Sequence, residues 1–396
     1  MKYSIHSETL TNIADAIRAK NGETERYTPA QMAQKIIDLQ SGSQISAQPK
    51  DINFFDYDGT LVYSYTLDEV KSLTALPTAP KHSGLVFQGW NWELEDIKAL
   101  TRSMNIGAMY ITDDGKTRLH IRIWDTSRHN VSLQLSQTVA NGVTFDWGDG
   151  SPTETVDGTG MVNISHTYTE TGDYIISLTV ADGCVVEFGR KGPYSGYVMK
   201  VGALLLQGLY VGKNVTSFNA YAFPGCYELS EVTIPNSVSY IAEHAFESCS
   251  SLRYITFPIG MVYCYGSWNC TSLMSVGVPN GVTSVLGFLG NCALVSITIP
   301  DGTTMIGPDA FQKCYSLESI IIPASVKSIG DYAFHSCLSM AEYHLLPVTP
   351  PTLSSTHVFD EIPADCIIYV PKGSLETYQT ATNWATYADY MREETA

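Results

Sequence analysis

The pattern L-x-x-I-x-I-P recurs along the second half of this chain, and no other feature narrows the possible folds as far. It reads Leu229, Val232, Ile234, Pro235, then Leu252, Ile255, Phe257, Pro258, then Leu273, Val276, Val278, Pro279. Copies at Leu294, Ile297, Ile299, Pro300 and at Leu317, Ile320, Ile322, Pro323 follow. A Gly-ended first copy stands at Leu206, Leu209, Val211, Gly212, and a degenerate last one at Ala341, His344, Leu346, Pro347; neighbouring copies lie 21 to 24 residues apart. The stretch after each Pro repeats as well: Val215, Phe218, Ala222, Phe223, Cys226 match Val238, Ile241, Ala245, Phe246, Cys249 and Val326, Ile329, Ala333, Phe334, Cys337, with Ile306, Ala310, Phe311, Cys314 in step. Each period is therefore one coil: a short strand with apolar residues at period two, a proline that ends it, and a return segment. A single coil cannot bury its apolar face, so the coils must stack and merge their Leu, Ile and Phe positions into one elongated core. The outward residues of the strands are expected to form a long recognition face.

Cys226, Cys249, Cys270, Cys292, Cys314 and Cys337 fall once per coil at the same position. No C-x-x-C pair occurs, so the spacing favours a column of buried thiols over metal ligation or disulfides. Cys184, Cys264 and Cys366 stand alone. Taken together, L-x-x-I-x-I-P followed by V-x-x-I-x-x-x-A-F-x-x-C resembles the BspA-like leucine-rich repeats of bacterial surface and phage proteins, over roughly 204–347. The resemblance implies a solenoid closed at its end by Ile367-Ile368-Tyr369-Val370-Pro371 and a helix carrying Tyr378, Trp384, Tyr387 and Tyr390, with Ser374 as its N-cap.

Composition bounds the partners. The chain has 396 residues and a net charge of −17, with charged residues at 16% and Gly (31) and Tyr (24) plentiful. Binding nucleic acid requires clustered Lys and Arg to neutralise phosphates, which disfavours nucleic acid and anionic membrane surfaces. Met1 to Lys20 is amphipathic without an apolar h-region, and no stretch reaches transmembrane length, so a protein without membrane insertion or a standard export signal is expected.

In the middle, Phe145-Asp146-Trp147-Gly148-Asp149-Gly150-Ser151 precedes His166-Thr167-Tyr168 and Gly172-Asp173-Tyr174. This W-G-D-G-S, H-x-Y, G-x-Y order resembles the PKD family of immunoglobulin-like sandwiches, which implies a spacer module with Trp147, Tyr168 and Tyr174 as core aromatics. Gly84-Leu85-Val86-Phe87-Gln88-Gly89-Trp90 resembles the small β-repeats of internalin-type surface proteins, and a helix is expected within Trp92 to Ser103.

The run Asp56-Tyr57-Asp58-Gly59-Thr60-Leu61 matches the D-x-D-G-T nucleophile motif of haloacid-dehalogenase-type phosphatases, in which the first Asp attacks phosphorus and the second is the acid/base. Asp113-Asp114 adds two carboxylates. The surrounding sequence lacks the βα alternation that chemistry needs, so Asp58-Gly59 reads better as a hairpin turn between Ile52–Tyr57 and Thr60–Tyr65. His120, His129, His166, His244 and His335 are scattered and form no triad or H-E-x-x-H motif.

At the N-terminus, Leu10, Ile13, Ala14 and Ile17 define one helix and Thr28-Pro29 opens another with Met32, Ala33, Ile36 and Ile37, followed by Ser41-Gly42-Ser43. The string Ile13 to Met32 resembles the N-terminal segments of phage tail and fibre-like proteins from Gram-positive hosts.

The resulting expectation is a multidomain, mainly β protein. It comprises a helical docking unit (1–43), a small β-rich domain (44–127), a PKD-like sandwich (128–190), BspA-like leucine-rich repeats (191–350) and a strand-and-helix cap (351–396). No catalytic, cofactor-binding or metal-ligating residues are assigned, and no cofactor is expected. The function expected is that of a structural virion protein, a tail or head fibre, attaching to the bacterial host. Its N-terminal helices would contact other virion proteins and its repeat face a surface glycan or protein, with a homo-oligomer as one arrangement. The alternative is a bacterial cell-surface leucine-rich-repeat adhesin, and the remote one a phosphatase acting through Asp56 and Asp58.

Overall fold

The computed structural model describes residues 50–394 apart from Thr126, Arg128, 190–204, 266–268, Leu289, Asn291 and Cys292. The helices expected within 1–43, Cys292 and the Cys264 side chain lie outside the described residues.

The first module is a four-stranded sheet with two short helices. Strands β1 (Ile52–Phe55), β2 (Leu61–Tyr65), β3 (Leu85–Trp90) and β4 (Met104–Thr112) lie in the order β2-β1-β4-β3, with β1 and β4 parallel and the other pairs antiparallel. Helix α1 (Leu67–Lys71) starts at a capping box in which Thr66 Oγ1 accepts from Glu69 N–H and Glu69 accepts from Thr66 N–H. The helix expected between Trp92 and Ser103 is a single short one, α2 (Leu94–Lys98). Ile52, Phe54, Val70, Trp90, Ile97 and Ile106 fill the module's own core.

A two-sheet sandwich follows. Its strands are β5 (Thr117–Ile123), β6 (Asn130–Gln137), β7 (Val143–Asp146), β8 (Glu154–Thr155), β9 (Gly160–Thr167), β10 (Gly172–Val180) and β11 (Val186–Phe188). One sheet runs β5-β10-β7-β8, the other β11-β6-β9. Alternation places Leu119, Ile121 and Ile123 of β5 in the core and Arg118, His120 and Arg122 outside it. The W-G-D-G turn is a locked cluster. His166 stacks on Trp147 at 4.8 Å, its Nε2 lies 2.7 Å from Asp149 Oδ2, and the Tyr168 hydroxyl donates to the Trp147 carbonyl at 2.7 Å. Trp147 and Tyr168 are fully buried, and Tyr174 packs half-buried beside them.

Both sheets continue into the coils. Strand β12 (Leu206–Tyr210) pairs antiparallel with β5, and β14 (Glu231–Thr233) pairs parallel with β12. On the other sheet β13 (Val215–Phe218) pairs parallel with β11, and β15 (Tyr240–Ile241) with β13. One sheet thus feeds the ladder of proline-ended strands and the other feeds the return ladder, and a single apolar cluster runs from Leu119 to Met391. The solenoid's first coil has no free edge, because the sandwich supplies the neighbouring strands. Later coils keep parallel pairing, as in Ser319–Ile322 with Glu342–Leu345 and then with Ile367–Val370.

The apolar ladders hold the positions expected except in the degenerate copy. Tyr343 and Leu345 are buried, facing Ile320 and Ile322 in register, while His344 and Leu346 point outward. The copy is therefore Met340, Tyr343, Leu345, not Ala341, His344, Leu346. One extra residue before Pro347 shifts an alignment anchored on the proline, and a one-residue slip inverts every side chain. Phe rings stack from coil to coil, with centroids 5.7 Å apart for Phe288–Phe311 and 5.4 Å for both Phe311–Phe334 and Phe334–Phe359. The cysteine column does more than fill space: Cys249, Cys314 and Cys337 donate to the carbonyls of Phe223, Phe288 and Phe311 in the preceding coil at 3.3, 3.2 and 3.2 Å.

At the C-terminus α3 (Leu375–Thr380) and a 3-10 segment, Trp384–Tyr390, bury Trp384 and Tyr387 against Phe359 and Tyr378 against Trp384, and Met391–Glu393 adds a last parallel strand. Ser374 makes no side-chain cap; its backbone is αR rather than extended, and its hydroxyl donates to the Pro371 carbonyl at 2.5 Å. No helix among the described residues is long and apolar enough to cross a membrane.

Candidate binding site

The face of the proline-ended strands is not continuously open. Thr233, Tyr254, Thr256 and Gly277 occupy outward positions, yet all are buried, because the first module lies on them. Asn91, fully buried, makes the tightest join. Its amide donates to the Gly277 carbonyl at 2.9 Å and the Phe257 carbonyl at 3.3 Å, while its oxygen accepts from Gly107 N–H at 2.8 Å. Trp92 Nε1 donates to the Val278 carbonyl at 2.8 Å and Arg102 to the Ile299 carbonyl at 2.6 Å, with Asp301 paired to the same guanidinium. Small residues allow this approach: a β-carbon at Gly107 would collide with the Thr256 side chain.

Beyond the module the face is open but internally satisfied at its last rungs. His344 stacks on Tyr369 at 5.0 Å, with Nδ1 2.7 Å from Glu394 and Nε2 3.1 Å from Glu342.

Where module, sandwich and first coils meet, a polar groove of about 690 Å³ opens. It is lined by Asp58 from the β1–β2 turn, His120 from β5, Gln207, Gly208 and Tyr210 from β12, and Glu228, Ser230, Glu231, Ser251, Arg253 and Ser272 from the following coils. Tyr210 donates to Glu231, lies 4.7 Å from the His120 ring and packs edge-on against Tyr57 at 6.3 Å. Gln207 donates to Glu228 at 3.2 Å. Burial pushes the His120 imidazole below its ordinary pKa, although Glu231 works against this. Burial and Glu231 push the Tyr210 phenol up, so it stays a neutral donor. Arg253 is exposed and forms no ion pair with any described residue.

The D-x-D-G-T residues divide between two environments. Asp58 and Gly59 form the expected hairpin turn, with Gly59 at φ +86° and Thr60 N–H donating to Asp58 Oδ1 at 2.9 Å. Asp56 is buried, its carboxylate held by His82 Nε2 at 2.7 Å and Tyr57 N–H at 2.8 Å, and burial pushes its pKa up. Asp113 N–H donates to the Gly84 carbonyl and Asp114 pairs with Arg118, so these carboxylates do not join Asp56. No group of three or more His, Cys, Asp or Glu side chains suited to a metal occurs among the described residues. Of the groove residues, sequence reading singled out Asp58 and His120 for other reasons. Tyr210, Glu231 and Arg253 went unmarked, their only signal being polar residues at strand positions that later coils fill differently.

Residues 203–289 and 287–357 match the model of the BspA type leucine rich repeat region, in six copies. No curated protein matches the chain. Among solved structures, a leucine rich cell surface protein from Faecalibacterium prausnitzii A2-165 is 22% identical, over 34% of this chain and 58% of its own, with a TM-score of 0.23. This chain thus spans less than two thirds of that protein. A leucine-rich-repeat protein of T. pallidum is 27% identical over 40% of this chain and 84% of its own (TM-score 0.35), and one from Bacteroides ovatus is 20% identical over 47% and 66% (TM-score 0.21). The coils described above lie within the stretch, 203–357, that matches this repeat model.

Proposed function

We propose that this protein is a non-enzymatic attachment protein, a bacterial cell-surface leucine-rich-repeat adhesin. The observation that carries this reading is the six-copy BspA-type repeat region. Its fit with an open polar groove and with catalytic-type residues engaged in structural contacts supports the reading further. In it, the sandwich is a PKD-like spacer that starts the solenoid, and the segment from Leu375 to Glu393 closes the far end. The fibre of a virion is the second reading, favoured only by the resemblance of Ile13 to Met32 to phage tail segments, and the repeat match supports the adhesin as well without it.

Labelled full-length protein is expected to bind Gram-positive gut bacteria or their cell-wall glycan saturably, displaced by unlabelled protein. Absence of saturable binding to every cell and glycan tried overturns the attachment role. Antibody labelling of intact producing cells separates the two carriers: surface labelling supports the adhesin, and labelling confined to phage particles replaces it with the fibre.

A further inference from the structure

We infer that the groove at the junction of the three modules binds a non-acidic oligosaccharide chain, an inference that rests on the attachment reading above. The first argument is shape. Gln207, Ser230 and Arg253 occupy the same position on three successive coils, and Glu228, Ser251 and Ser272 occupy the position two residues earlier on three successive coils. Parallel rungs lie about 4.8 Å apart, so the groove carries two parallel rows of hydrogen-bonding side chains rising at one group per rung. A polymer of hydroxyl-bearing rings presents donors and acceptors repeatedly along its length in the same way.

The second argument is the donor and acceptor set. The rows offer hydroxyls that both donate and accept, an amide with both functions, one carboxylate that only accepts and one guanidinium that only donates. At their end Tyr210, flanked by His120, gives an aromatic surface whose polar edge is anchored on Glu231. This lining is mostly polar and carries no aliphatic side chain, so it lacks the apolar walls that hold a drug-like or lipid ligand.

The third argument is charge. Asp58, Glu228 and Glu231 face one Arg253, and His120 is held toward its neutral form by burial. An acidic ligand would meet like charge at close range. Neutral sugars meet none, and amine-bearing ones meet three carboxylates against one guanidinium.

The test uses the full chain and a panel of probes: tetramers of N-acetylglucosamine, glucosamine, mannose and galacturonate, and cell-wall polysaccharide from a bacterium the protein binds. Calorimetry is expected to detect binding by a non-acidic member and none by galacturonate. Ser251→Trp, which fills the groove from a half-buried position in its lining, should abolish that binding, and Gln207→Ala should weaken it roughly tenfold. Unchanged melting temperatures show that both variants fold. Preference for galacturonate, or binding indifferent to both variants, overturns the inference. If the unmutated chain binds cells but no saccharide of the panel, the groove assignment is overturned and the attachment reading stands. If it binds neither, both are overturned.

Discussion

Cys337 shows what one position contributes to this fold. Its thiol is fully buried, donates to the Phe311 carbonyl of the coil before, and is pushed up to about 12 by burial. A thiol so placed is neither a nucleophile nor a metal ligand. In the native protein Cys337 is expected to resist iodoacetamide at neutral pH and to label fully in denaturant, as read by peptide mass spectrometry; rapid native labelling would contradict the burial. Cys337→Ala should cost about 1–2 kcal/mol, from a small cavity and an unsatisfied carbonyl. At Asp149, burial opposes ionisation, but hydrogen bonds from Ser151 and pairing with His166 outweigh it and hold the carboxyl at about 2. The folded value is depressed below the unfolded one of about 3.9, so its stabilising contribution is present above that pH and is lost as pH falls toward 2. The gap in melting temperature between the wild type and Asp149→Asn should therefore narrow between about pH 4 and pH 2. A constant gap would mean that the cluster does not favour the charged carboxyl.

Elements join here through contacts that leave little local trace. The repeat was legible because each coil buries the same apolar ladder, which writes a period into the chain. The sandwich turn was legible because Trp147, His166 and Tyr168 must occur together to form it. The docking of the first module was not. Asn91 reaches Gly277, 186 residues away, and the outward rung residues it covers, Thr256 and Gly277, are merely small. The same holds for the groove, whose residues come from three modules that meet only in the folded chain. Gly107→Val should wedge the module off the ladder, because the added branch meets Thr256. Hydrogen exchange of the peptide spanning Tyr254–Phe257 is expected to rise while the later coils, around Phe334, stay protected. Unchanged exchange at Tyr254–Phe257 would show that the module does not cover this face.

At the scale of the molecule, sandwich and solenoid share one core and both sheets, so the repeats do not begin at a free end. A chain starting at Leu205 loses β5 and β11 and exposes Leu206, Leu209 and Val215, each fully buried in the intact protein. That fragment is expected to aggregate or to melt without a cooperative transition, whereas one starting at Asp113 should melt sharply; a monomeric, cooperative 205–394 would contradict the shared core. The same architecture changes the meaning of the strand face, which the chain's own first module partly occupies, so that the open polar groove lies at the junction beside it. The most direct test is a hydrogen-exchange footprint of the full chain with and without the cell-wall glycan of a bacterium it binds. Protection is predicted in peptides covering Gln207–Tyr210, Glu228–Glu231 and Ser251–Arg253. Protection confined to other coils or to residues before Lys50, or no protection under saturating binding, would contradict the account.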